Sequence, residues 1–176
     1  VWAWRRRRVL KLKRRVRRLC VILPFEEQFF RNYGLEVEYV GHPLLEERFE
    51  EKDIRPNRVL LLPGSRRLEV QRLLPLLVKT AQILRSKHPE LIFQLPIAPG
   101  LDRHWVEKLL GRCSLPLELE PAGARACLKG AKLALCASGT VTLEAALVDV
   151  PQLVCYRLSH LSYFLARFLA RVKYVC

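Results

Sequence analysis

The chain has 176 residues, 51% of them hydrophobic, and a formal net charge of +14. That length suits one domain, or one domain and part of another, and so much apolar content excludes a disordered chain. The charge is a local feature: residues 1–20 hold ten Lys/Arg and no acid, so the rest of the chain carries only +4.

The basic head reads VWAWRRRRVLKLKRRVRRLC. Val9, Leu12, Val16 and Leu19 fall at steps of three and four, a narrow apolar stripe on a helix whose other faces are cationic. Trp2 and Trp4 stand before it. A basic amphipathic helix headed by tryptophan suits a membrane surface, where each cation near an anionic leaflet contributes roughly 1 kcal/mol. The same residues also suit phosphates of nucleic acid, or a stripe turned to a core with the arginines simply solvated. Nucleic acid has the least support, because no RNP motif, zinc finger or interleaved aromatic platform accompanies the charge. No apolar run reaches the length of a membrane span. The brief run Leu19 to Phe25 leads into Glu26 and Glu27 without a cleavage site, which argues against a signal peptide.

Residues 19–23 read as a buried strand ended by Pro24, and 26–33 as a helix stopped by Gly34. A second strand, 37–40, is closed by Gly41-His42-Pro43; a turn accounts for the glycine and the proline but does not call for the histidine. Residues 44–52 are polar and helical in pattern, and 53–57 read as a linker. A regular alternation follows: strands at 58–62, 91–95, 117–119, 132–136 and 152–156, and helices at 67–87, 102–111, 122–129, 140–148 and 159–171. Pro75 should break or restart the 67–87 helix, since proline lacks the N–H and fits best in a first turn. Strands alternating with helices predict an α/β fold, a Rossmann-like parallel sheet with helices on both faces.

Ligands of such sheets bind beyond the carboxyl ends of the strands. Two junctions lie there, RVLLLPGSRRLEV (58–70) and ALCASGTVTLEAAL (134–147). Pro63-Gly64-Ser65-Arg66 sets a hydroxyl and a guanidinium at a helix start, where unpaired N–H groups and the helix dipole attract phosphate. A charge-assisted bond from Arg66 or Arg67 adds roughly 1.5–3 kcal/mol, more than the dipole. At the second junction Ser138, Gly139 and Thr140 precede a helix, and Ser138 or Thr140 could simply cap it. Glu144 is out of register for a capping box with either, and on a first turn it would repel phosphate. It is therefore read as accepting hydrogen bonds from sugar hydroxyls, or as compensating the dipole.

Other chemistries lack their signatures. There is no GxGxxG, GxxxxGK[ST], GxSxG or HExxH, and the histidines at 42, 88, 104 and 160 are far apart. The six cysteines are scattered with no CxxC pair, which favours a reduced compartment and no zinc site.

Five stretches in order, VWAWRR (1–6), ILPFEEQFFRNYGLEVEYVGHPLLE (22–46), LLPGSRRLEV (61–70), ASGTVTLEAAL (137–147) and VPQLVCYRLSHLSYFLARFLARVKYV (150–175), resemble the lipid-A-disaccharide synthases, bacterial glycosyltransferases of the GT-B type. The resemblance implies two Rossmann-like domains with a cleft between them: residues 1–52 as the end of an N-terminal, acceptor-side domain, 53–57 as linker, and 58–176 as an incomplete C-terminal UDP-sugar-binding domain. It implies transfer from UDP-2,3-diacylglucosamine to 2,3-diacylglucosamine 1-phosphate with release of UDP, without a metal or other cofactor. Ser65 and Arg66 would touch the diphosphate, Ser138, Gly139 and Thr140 would line the same pocket, Glu144 would face the ribose, and His42 would sit in the hinge region. Trp2, Trp4, Arg5, Arg6, Arg7 and Arg8 would meet anionic lipid at the cytoplasmic face of the inner membrane; Arg7 departs from the non-basic residue usual there. The complete protein could pair as a homodimer, with no nucleic-acid partner. The acidic catalytic residue is expected upstream of Val1, so this chain alone is expected not to turn over. Two alternatives stay open: a non-catalytic basic α/β module that binds anionic membrane or RNA, and a UDP-sugar epimerase of GT-B-like fold.

Overall fold

The computed structural model describes residues 7–46, 55–111 and 113–157. They belong to two compact units that divide between Arg48 and Phe49. The predicted helix at 159–171, the residues 47–54 and Trp2, Trp4, Arg5 and Arg6 lie outside the described residues.

In the first unit, helix α1 (Arg8–Arg15) leads to strand β1 (Leu19–Val21), helix α2 (Pro24–Arg31), strand β2 (Val37–Tyr39) and a 3-10 turn at Pro43–Leu45. The two strands pair in parallel, Leu19 opposite Val37. The predicted amphipathic helix is thus shorter than its stripe: it ends at Arg15, Val16 is extended, and Leu19 belongs to a strand. Val9 is fully buried and packs with Val21, Phe30, Leu35 and Val37, with Leu12 and Leu19 against the same cluster. The apolar stripe therefore faces a core, while Arg7, Arg8, Lys11, Arg14, Arg15 and Arg17 remain exposed. Pro24 does not end the strand before it; it opens α2 from the first helical turn, where its missing N–H has no partner to lose. His42 serves the local backbone, capping the 3-10 turn through its Nδ1, which accepts the Leu44 N–H at 3.2 Å. Backbone capping thus accounts for the one residue of the turn that the turn pattern left over.

The second unit holds strands β3 (Arg58–Leu62), β4 (Ile92–Pro96), β5 (Leu117–Glu120), β6 (Leu133–Ala137) and β7 (Gln152–Cys155) in one parallel sheet, ordered β5-β4-β3-β6-β7. Helices α3 (Arg67–Lys87), α4 (Arg103–Leu110), α5 (Arg125–Leu128) and α6 (Thr140–Leu147) connect them. Every residue of β3 is buried, the expected state of a central strand covered on both faces. Alternate residues serve opposite layers. Val59 and Leu61 pack with Phe93, Leu95 and the buried side of α3 and α4, whereas Leu60 and Leu62 pack with Cys127, Leu128, Cys136 and Ala145 beneath α5 and α6. The layers make the sheet doubly wound, as the sequence pattern predicts.

Pro75 does not break α3, which runs unbroken from Arg67 to Lys87. Buried Leu73, Leu74, Leu77 and Ala81 hold the helix to the sheet on both sides of the exposed proline. The Arg157 guanidinium also donates to the Arg72 carbonyl at 3.2 Å, in the turn before it. Tertiary packing thus outweighs a helix penalty of about 3 kcal/mol. The predicted 122–129 helix shrinks to the four residues of α5. Arg58, 2% exposed, anchors that short helix: its Nη2 donates to the carbonyls of Cys127 at 2.7 Å and Lys129 at 2.9 Å.

Burial pushes the Cys127 thiol up to about 11, with Glu120 adding to the shift. A thiol that holds its proton more tightly folded than unfolded contributes stability fully below its ordinary value, and that contribution is lost as pH rises toward 11. Denaturation midpoints should therefore fall between about pH 9 and 11, and a Cys127→Ala variant should show a shallower alkaline slope than the unsubstituted protein. Equal slopes in the two proteins would contradict this.

Candidate functional site

The sheet reverses direction at one place. From β3 the chain winds outward through β4 to β5, then returns to place β6 on the other side of β3, followed by β7. A doubly wound sheet opens a crevice at such a switch point, beyond the carboxyl ends of the two strands that flank it. Here these are β3 and β6, paired through Leu62 and Cys136. The loops that leave them are the two junctions predicted from sequence, Pro63–Arg66 and Ser138–Gly139.

A cleft of about 730 Å³ lies there. Ser65, Arg66, Ser138, Gly139, Thr140 and Glu144 all line it. Gly64 lets the first turn pass close to the second. Its φ is +111°, and a Cβ on it would lie 2.7 Å from Glu69 Oε2, 3.2 Å from Glu69 Cβ and 3.7 Å from the Ala137 side chain. Any side chain at position 64 would be strained and would push into the turn.

Helices α3 and α6 both start at the cleft. Arg66 and Gly139 are their N-cap residues, and neither helix has a side-chain cap. The alternative that Ser138 or Thr140 caps α6 does not hold: the cap position is Gly139, and the Thr142 hydroxyl turns back to donate to the Gly139 carbonyl at 2.7 Å. By contrast α4, elsewhere on the sheet, has its first turn closed by Asp102, which accepts the Trp105 N–H. Two helix N-termini open into one cleft make a strong anion-binding arrangement, since their first N–H groups have no partner within the helix.

The charges are ordered around this opening. Arg66 is 81% exposed at the rim and pairs with Glu69 at 2.8 Å. Arg67 does not share its role: its guanidinium stacks over Trp105 at 5.4 Å, and it does not line the cleft. Glu144 lies one turn deeper than the sequence reading put it, for the first turn of α6 contains no acid. Set back from the N-terminus, it has less to compensate in the helix dipole, whose effect falls off within the first turn. Its side chain is 15% exposed and lies 3.6 Å from the Arg125 guanidinium.

The cleft also uses residues that sequence reasoning passed over. Pro96 ends β4 and Ala98 and Pro99 follow it, Ala122–Arg125 follow β5, and Glu69 comes from the first turn of α3. The rule that pointed to β3 and β6, applied to the carboxyl ends of β4 and β5, finds the first two groups. His42 belongs to the first unit, and Arg7 and Arg8 stand exposed at the start of α1. Among the described residues there is no cluster of three His, Cys, Asp or Glu able to hold a metal ion, and no helix long and apolar enough to cross a membrane.

Sheet order, winding and cleft define an α/β domain of GT-B-like fold. The UDP-GlcNAc 2-epimerase from Methanocaldococcus jannaschii superposes on 85% of this chain and 49% of its own with a TM-score of 0.56 at 18% identity. TarM superposes on 84% of this chain and 31% of its own with a TM-score of 0.52 at 14% identity. At such identities the likeness concerns the fold. Sequence goes further: the chain belongs to the lipid-A-disaccharide synthetase family, whose model matches residues 1–176. The lipid-A-disaccharide synthases of Syntrophus aciditrophicus and of Anaeromyxobacter sp. strain K are each 38% identical over 99% of this chain and 49% of their own length. Lipid-A-disaccharide synthase 1 of Legionella pneumophila strain Paris is 33% identical over 99% of the chain and 48% of its own. The chain spans about half the length of the curated relatives it matches.

Proposed function

We propose that this chain carries the nucleotide-diphosphate site of a glycosyltransferase that builds the lipid A disaccharide. The donor is UDP-2,3-diacylglucosamine, the acceptor 2,3-diacylglucosamine 1-phosphate, and the second product UDP. The observation that carries the reading is the convergence of two uncapped helix N-termini, with Arg66 beside them, at the switch point of a sheet whose sequence belongs to this family. An open N-terminus and a nearby guanidinium suit a diphosphate, which needs several donors at once and no metal. Arg66 and Ser65 take one phosphate side and Ser138, Gly139 and Thr140 the other. Glu144, set one turn back, accepts from the ribose hydroxyls. As UDP leaves, charge grows on its β-phosphate, and the same donors stabilise it in place.

Residues 1–52 then form the end of an acceptor-side domain, 53–57 a linker and 58–176 the donor domain. The exposed cations of α1 hold the protein at the anionic inner face of the cytoplasmic membrane; because Val9 and Leu12 are used in a core, that attraction is electrostatic and screened by salt. The complete protein pairs as a homodimer in this reading.

The test joins this chain to the N-terminal half of the Syntrophus relative and follows UDP release from the lipid donor and acceptor. Transfer by the joined protein, reduced by Arg66→Ala, is the expected result. A folded joined protein that binds UDP and transfers nothing to this acceptor overturns the substrate assignment.

A further inference from the structure

The charged side chains lining the cleft form two ion pairs, and the pairs differ in kind. Arg66 and Glu69 sit at the solvent rim, 81% and 41% exposed, at hydrogen-bond distance. Arg125 and Glu144 sit lower. Glu144 is only 15% exposed, on a helix that packs Val141 and Ala145 into an apolar layer. An enclosed carboxylate keeps one orientation when a positive charge stands by it. The Arg125 guanidinium supplies one, from a helix that Arg58 ties to the sheet. Its separation from Glu144 Oε1, 3.6 Å, also matters. That distance keeps the charges attracted while being too long for a hydrogen bond, so the carboxylate oxygen retains its acceptor capacity.

We infer that Arg125 is a positioning residue, which holds Glu144 turned into the cleft so that its carboxylate accepts hydrogen bonds from the two ribose hydroxyls of a bound nucleotide. The inference rests on the nucleotide-diphosphate reading above. It assigns the diphosphate to Arg66 and the helix N-termini and the sugar to Glu144, which Arg125 holds in place.

The experiment titrates the 176-residue chain calorimetrically with UDP, 2′,3′-dideoxy-UDP and UMP. Arg125→Ala, Arg125→Lys and Glu144→Gln are compared, with circular dichroism to check folding. The unsubstituted chain should prefer UDP over its dideoxy analogue by about tenfold or more, the size of a hydrogen bond to a charged group. Glu144→Gln and Arg125→Ala should each reduce that preference to about twofold or less, Arg125→Lys should keep most of it, and the ratio of UDP to UMP affinity should stay unchanged in all three. If Arg125→Ala does not fold, Arg125→Gln keeps the bulk without the charge and serves the same comparison. Loss of the ribose preference in Glu144→Gln but not at position 125 overturns the role of Arg125 and leaves the nucleotide reading intact. A changed UDP-to-UMP ratio in the Arg125 variants overturns it too, by making Arg125 a phosphate ligand. Absence of UDP binding, or of any ribose preference, in the unsubstituted chain overturns the nucleotide reading and this inference together.

Discussion

Replacing Arg66 by alanine should weaken UDP binding by about tenfold while leaving the fold stable. Hydrogen bonds to charged groups contribute roughly 1.5–3 kcal/mol, which corresponds to about ten- to a hundredfold. The lower end applies here for two reasons. The side chain is 81% exposed, so solvent and salt screen its charge. It is also already paired with Glu69, so the gain on binding is a difference between two carboxylate- or phosphate-bound states. From the same pairing, Glu69→Gln should tighten UDP binding, because a neutral partner no longer competes with the diphosphate for the guanidinium. Arg66→Lys should fall between alanine and arginine, since an ammonium keeps the charge but loses the planar two-pronged contact. Isothermal titration of the four proteins at low and physiological salt checks the order. Equal affinities would show that the backbone N–H groups hold the diphosphate without this arginine.

Arg58→Ala should destabilise the second unit by about 3 kcal/mol. The guanidinium is 2% exposed and donates to two carbonyls at the end of α5. Its Nε, like the Oε1 of Gln94, is buried without a partner among the described residues. Burying this charge is therefore costly in itself, but removing it takes two hydrogen bonds from the end of α5, the one to the buried Cys127 carbonyl foremost, and such a loss costs roughly 1–3 kcal/mol. Arg58→Met, which keeps volume, should recover some of the packing and none of the hydrogen bonding, and Arg58→Lys should retain part of both. Urea unfolding followed by circular dichroism ranks the variants. The effect should also reach the cleft, because α5 carries Arg125: a variant that still folds should bind UDP less well than its stability alone explains.

The central strand and the two junctions are legible in the sequence for a simple reason. RVLLL reads as a strand of the interior, and a glycine with small hydroxyl residues between an apolar strand and a helix marks a junction at the carboxyl end of the sheet, where ligands bind. What escapes is set by contacts distant in sequence. Pro75 stays helical because Leu73, Leu74, Leu77 and Ala81 pack on the sheet, and nothing in the local sequence reports that packing. The stripe Val9, Leu12, Val16, Leu19 looks like one amphipathic helix, yet Leu19 pairs with Val37, an interaction that periodicity cannot see. Arg125 gives no signal because its partner, Glu144, lies far along the chain and meets it only through the packing of α5 against α6. His42 stands out as a candidate for chemistry, yet its Nδ1 caps the 3-10 turn by accepting the Leu44 N–H.

The claim that both turns hold one nucleotide diphosphate is tested most directly by following backbone amide resonances of the isotope-labelled chain during a UDP titration. The amides of Gly64, Ser65, Ser138, Gly139 and Thr140 should move together and saturate with a single dissociation constant. Saturable shifts confined to one of the two turns, or found only among the cations of α1, would contradict the account.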